Sequence, residues 1–138
     1  MKIDLSEKEF RRLLDMAYIG NWILNSTREN DRFQDYDDVE SKLFSYCRDV
    51  GMDELCTPYP GFTMPSDAFV NGGIHDAIAE YENSVFFDIL AEELTFRDMN
   101  YPQIDATNVD EFNERVDEYL NEFEANGLDN INVDGDMV

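Results

Sequence analysis

The stretch HDAIAEYENSVFFDILAEELTFRDM, residues 75–99, decides how the rest of the chain is read. Ile78, Tyr81, Val85, Ile89 and Phe96 recur at helical spacing and define one apolar stripe. Phe86, Phe87, Leu90 and Leu94 define a second, about 120° further round the same helix. A helix apolar on two sides is expected at the centre of a bundle. Tyr101-Pro102 predicts its end, because the residue before proline disfavours helical backbone.

On the C-terminal side, residues 109–126 predict a cleanly amphipathic helix. Val109, Phe112, Val116, Tyr119, Leu120 and Phe123 share one face, and Asp110, Glu111, Glu114, Asp117, Glu118, Glu122 and Glu124 take the other. Asn108 with Glu111 resembles a capping box, and Asn126-Gly127 suits a helix stop.

Towards the N-terminus, Ser6 and Glu9 form an S-x-x-E capping box, with Leu5 and Phe10 placed as a hydrophobic staple. They open a helix expected over 7–26, whose second half (Tyr18, Ile19, Trp22, Ile23, Leu24) is apolar nearly all round. Asp37 and Glu40 start another, expected over 37–50 and closed by Gly51 at a position needing positive φ. Residues 52–74 hold Pro58, Pro60, Gly61, Pro65 and Gly72-Gly73 and predict a long irregular loop held down by its aromatics.

The fold class expected is therefore all-α, a compact single domain of about four helices (7–26, 37–50, 75–99 and 109–126) with an excursion at 52–74. Residues 1–126 read as one helical domain, and 127–138 as an acidic C-terminal tail, docked or disordered.

Charge is the other dominant feature. The chain carries 32 acidic and 10 basic side chains, a net charge of −22. Residues 1–69 hold 14 acids and 8 basic residues, whereas residues 70–138 hold 18 acids and only Arg97 and Arg115. Such a field extends about 10 Å in 0.1 M salt, repels nucleic acid and anionic membranes, and attracts basic surfaces. Scarce lysine also fits adaptation to high salt, but that predicts charge spread evenly over the surface, and the asymmetry between the halves argues against it. Crowded carboxylates predict raised pKa values, hence greater stability as pH falls from 7 toward about 5.

Catalytic signatures are missing. No glycine-rich phosphate loop, H-E-x-x-H or C-x-x-C occurs, and the one histidine, His75, reads as a solvated residue at a helix start. Cys47 and Cys56 read as reduced thiols, Cys47 a core residue. Glu82, Asp88 and Glu92 could face inward as bundle metal ligands do, but a di-iron site needs two E-x-x-H motifs, so they read as rim acids. Asn130-x-Asn132-x-Asp134-Gly135 imitates a calcium loop without its first-position Asp and reads as a turn. No stretch of about 20 apolar residues exists to span a bilayer, and the charged start has no apolar secretory region, so the expected location is cytoplasmic.

The function expected is that of a small acidic, non-enzymatic protein binding a basic protein surface, with Glu111, Glu114, Asp117, Glu118 and Glu122 as partner-binding residues. No catalytic residue, cofactor or metal is assigned, and neither nucleic acid nor membrane is a direct partner. The sharpest form is an inhibitor that mimics nucleic acid. A helix of about 27 Å would face roughly 16 phosphate charges on B-DNA, so the seven acids of 109–126 would need help from others such as Glu80, Glu93 and Asp105. The alternative is a small-molecule or metal-binding helical domain using Tyr59, Phe62, His75, Glu82 and Glu92 around the 52–74 loop.

Overall fold

The computed structural model describes residues 2–133 and is mainly helical. The chain groups into two compact units, Met1–Ala79 and Glu80–Val138.

In the first unit, α1 (Glu7–Asn25) opens on the expected capping box: Ser6 Oγ accepts from the Glu9 amide, and the Glu9 carboxylate accepts from the Ser6 amide at 2.8 Å. Phe10 and Leu14 are buried. The second half of α1 departs from expectation. Met16 and Ile23 are exposed, and the buried positions there are Asn21 and Asn25. Polar side chains can be buried when their hydrogen bonds are met, and these are. Asn25 Oδ1 accepts from the Phe33 amide (2.8 Å), while its Nδ2 donates to Asn21 Oδ1 (2.8 Å) and the Phe33 carbonyl (3.1 Å). The clamp anchors Phe33, so α2 (Gln34–Ser45) begins three residues earlier than its sequence suggests. A 3₁₀ segment, Tyr46–Val50, continues it to Gly51, whose φ of 72° fits the predicted stop.

Residues 52–74 are not an irregular loop. They hold a hairpin of β1 (Cys56–Tyr59) and β2 (Phe62–Pro65), antiparallel with Cys56 opposite Pro65 and Tyr59 opposite Phe62. Pro60-Gly61 forms the turn, Gly61 at φ 85°. In a two-stranded sheet each strand has an unpaired outer edge, so Pro58 and Pro65 can be accommodated. The Thr63 amide donates to Ser41 Oγ on α2 at 2.8 Å. A helical turn, Asp67–Phe69, follows under a Ser66 cap, and an irregular turn over Val70–Ile74, with Gly73 at φ 104°, leads into the next helix. The core gathers Phe10, Leu14, Phe44, Cys47, Cys56, Phe69 and Ile74. Phe69 does the lid-like packing expected of this stretch, edge-on to Phe44 (4.9 Å) and Tyr18 (5.3 Å). Burial pushes the Cys47 thiol up to about 12, consistent with an inert core residue.

Helix α3 (His75–Asp98) starts in the first unit, where His75 is half-buried and Ile78 buried, and belongs to the second from Glu80 on. It is not the enclosed central helix that its two stripes predict. Tyr81 and Ile89 are 63% and 56% exposed, and Phe86 is also exposed. Within the second unit α3 has one helical partner, α4 (Val109–Asn126), and the face it covers draws on both stripes, Phe96 from the first and Phe87 from the second. Phe87 meets Phe123 at 5.3 Å and Phe96 meets Phe112 at 4.7 Å, with Ala91 and Thr95 buried beside them. Asn100 and Tyr101 turn the chain at positive φ. The start of α4 also differs in detail. Asn108 makes no side-chain cap; its amide bridges the Asp105 amide and the Gln103 carbonyl, while Asp105 accepts from Thr107. Gly127 ends α4 as predicted. Asp134 and Gly135 of the calcium-like string, and the last five residues of the expected tail, lie outside the described residues.

Candidate binding surfaces

The five acids of α4 expected to bind a partner divide into two groups. Glu111 accepts from Arg115 at 2.9 and 3.1 Å, and Glu122 accepts from Asn126 and Asn130. Glu114, Asp117 and Glu118 are exposed and form no ion pair among the described residues. The two arginines of the second unit are both occupied, Arg115 by Glu111 and Arg97 by Asp98 at 2.8 Å. Asp98 also accepts from the Tyr119 hydroxyl. Asp98, Arg115, Glu118, Tyr119 and Glu122 line a shallow cleft of about 210 Å³.

The electrostatics differ from simple crowding. The Tyr119 hydroxyl, and then Arg97, hold the Asp98 carboxyl below its ordinary value. Asn130 and Asn126 do the same for Glu122, and Thr107 for Asp105. Hydrogen bonds to the charged form outweigh the cost of desolvation at these positions. In the first unit the basic side chains are largely neutralised at home, through Arg11 and Arg12 with Asp15, Arg28 with Asp31, Arg32 with Asp37 and Arg48 with Asp53.

A second arrangement was not evident from the sequence. Tyr18, Asn21, Trp22 and Asn25 stand at i, i+3, i+4 and i+7 on α1 and so share a face. From α2, Asp37 and Glu40 approach it, and Arg32 comes from the connecting loop. Together they frame a cleft of about 240 Å³ lined by Tyr18, Trp22, Arg32 and Glu40 with the two asparagines. Arg32 grips Asp37 with two nitrogens (2.7 and 3.0 Å), and Asn21 donates to the same carboxylate at 3.0 Å, so Asp37 is held well ionised. Glu40 forms no ion pair among the described residues. Burial, reinforced by the Asp37 charge and opposed by Asn21 and Arg32, pushes its carboxyl up to about 7. Burial, with the nearby Glu40 charge, also raises the Tyr18 hydroxyl.

His75 is not the free surface residue its position suggests. Its Nε2 lies 2.7 Å from the Tyr18 hydroxyl, and its ring stands edge-on to Tyr18 and Trp22. The other residues of the alternative reading are elsewhere in their units. Tyr59 and Phe62 stack at 5.0 Å on the hairpin tip, beside a cleft that Ser41 and Lys42 share, and Glu82 and Glu92 are exposed on α3. Among the described residues no three metal-ligating side chains gather, and no helix is long and apolar enough to cross a membrane. Glu40 escaped the sequence reading because it looked like a helix-start acid; the recurring Tyr18/Asn21/Trp22/Asn25 face was the available signal. Comparison with protein-family models, curated proteins and solved structures finds no match to this chain.

Proposed function

We propose that this chain is a non-enzymatic acidic protein that binds a basic protein surface through the exposed side of α4, its sharpest form being occupation of a groove that otherwise holds nucleic acid. One observation carries the reading: Glu114, Asp117 and Glu118 have no ion pair among the described residues, on a helix whose unit has two arginines, both already paired. Uncompensated charges on one helix face raise encounter rates with a complementary surface and make binding salt-sensitive. Glu111 contributes less, because Arg115 neutralises it, whereas Glu122 keeps its charge, its partners Asn126 and Asn130 being neutral amides.

Capture of basic proteins from a lysate on immobilised wild-type protein, beside a Glu114→Lys/Asp117→Lys/Glu118→Lys variant, tests this. A defined basic protein should bind the wild type, elute steeply with rising salt, and be lost from the variant. Equal retention by the variant, or retention indifferent to salt, overturns the reading.

A further inference from the structure

We propose that the cleft between α1 and α2 is a binding site for a small organic cation, an alkylammonium or guanidinium group, with Glu40 as its counter-charge and the Tyr18 and Trp22 rings as its walls. The site lies wholly in the first unit and does not depend on the α4 reading.

The cleft, about 240 Å³, has room for a short alkyl chain and its charged head. Its polar lining is mostly committed. Asn25 spends its amide on Phe33 and Asn21, and Arg32 and Asp37 satisfy each other, so their charges largely cancel. Glu40 is what remains, a partly buried carboxylate with no cation of its own among the described residues. Burying an unpaired charge is unfavourable, and a ligand that supplies the opposite charge removes that cost. Aromatic rings within reach favour a cation over an anion or a neutral group. An anionic ligand would meet Glu40 as a like charge.

The test is direct, because Trp22 is the only tryptophan in the chain and lines the cleft. Its fluorescence is followed at pH 8 as n-butylammonium, methylguanidinium or neutral n-butanol is added to the full-length protein. A ligand of about five non-hydrogen atoms is expected to bind in the millimolar range. At least one cation should give a saturable change and butanol none, and Glu40→Gln should weaken the cation by about tenfold or more. If that variant fails to fold, wild-type calorimetry near pH 6.5 in two buffers replaces it. Cation binding should then release a proton from Glu40, whose charged and titratable surroundings are Asp37, Arg32, and Tyr18 backed by His75. No saturable response, an equal response to butanol, undiminished affinity in Glu40→Gln, or binding without proton release overturns the proposal.

Discussion

Thr95 sits fully buried on α3 with its hydroxyl oxygen lacking any hydrogen-bond partner among the described residues. A buried hydroxyl without a partner forfeits its hydration, at a cost of about 1–3 kcal/mol. Valine has nearly the same shape and a similar helix propensity. Thr95→Val should therefore stabilise the protein by about 1 kcal/mol, read as a rise of a few degrees in Tm by circular dichroism; a lower Tm would show that the hydroxyl is satisfied in solution. Residues also differ in how far sequence betrays their roles. Ser6 and Glu9 were legible because a capping box is local, closing within three residues. Asn108 resembled the same device, but Asp105 and Gln103 offered its amide other partners. Glu40 was illegible as a site residue, since the cleft it lines is shared with Tyr18 and Asn21 of another helix.

Among elements, the α1–α2 pair turns on Asn25. It is 1% exposed and holds both backbone polar groups of Phe33, the residue preceding α2. Asn25→Ala would leave the Phe33 amide unpaired and open a small void, so a loss of about 2 kcal/mol or more is expected in urea unfolding. Asn25→Asp should fare no better, because it removes the bonds donated to Asn21, Phe33 and Asp37 and adds a negative charge beside Asp37. A loss below about 0.5 kcal/mol for the alanine variant would mean that water replaces the clamp. The hairpin was hidden by its prolines, which read as loop punctuation and yet fit the outer edges of a two-stranded sheet. The apolar stripes of α3 were read correctly as helical, but their enclosure was not. Enclosure requires a partner on each side, and within its unit α4 covers a single face, meeting Phe96 of one stripe and Phe87 of the other.

For the molecule as a whole, the stability profile with pH sums opposing groups. Glu40 has a folded-state pKa near 7, above its ordinary 4.5, so the folded protein holds more protons than the unfolded chain between those values. Its contribution must improve as pH falls from 8 toward 5. Asp37, Asp98, Asp105, Glu9 and Glu122 have lowered values, so what they contribute is complete above their ordinary range and lost only in stronger acid. Thermal melts should accordingly show Tm rising from pH 8 to about 5 and falling below about 4, with Glu40→Gln flattening the upper limb. A wild-type Tm that declines steadily from pH 8 to 5 would contradict the assignment. Crowding predicted the same upper slope from sequence, but the structure supplies it through burial of one glutamate, Glu40, in the first unit.

What the sequence by itself determined is the helical class, the stops at Gly51 and Gly127, the capping of α1, and the imbalance of charge between the two halves. Each follows from residues within a turn or two of one another, or from simple counting. Only the tertiary structure decided which part of each apolar stripe is covered, where α2 begins, that prolines border a hairpin, and that Glu40 shares a cleft with Tyr18 and Trp22. Those outcomes depend on distant segments competing for the same hydrogen bonds and the same buried space, which no local pattern records.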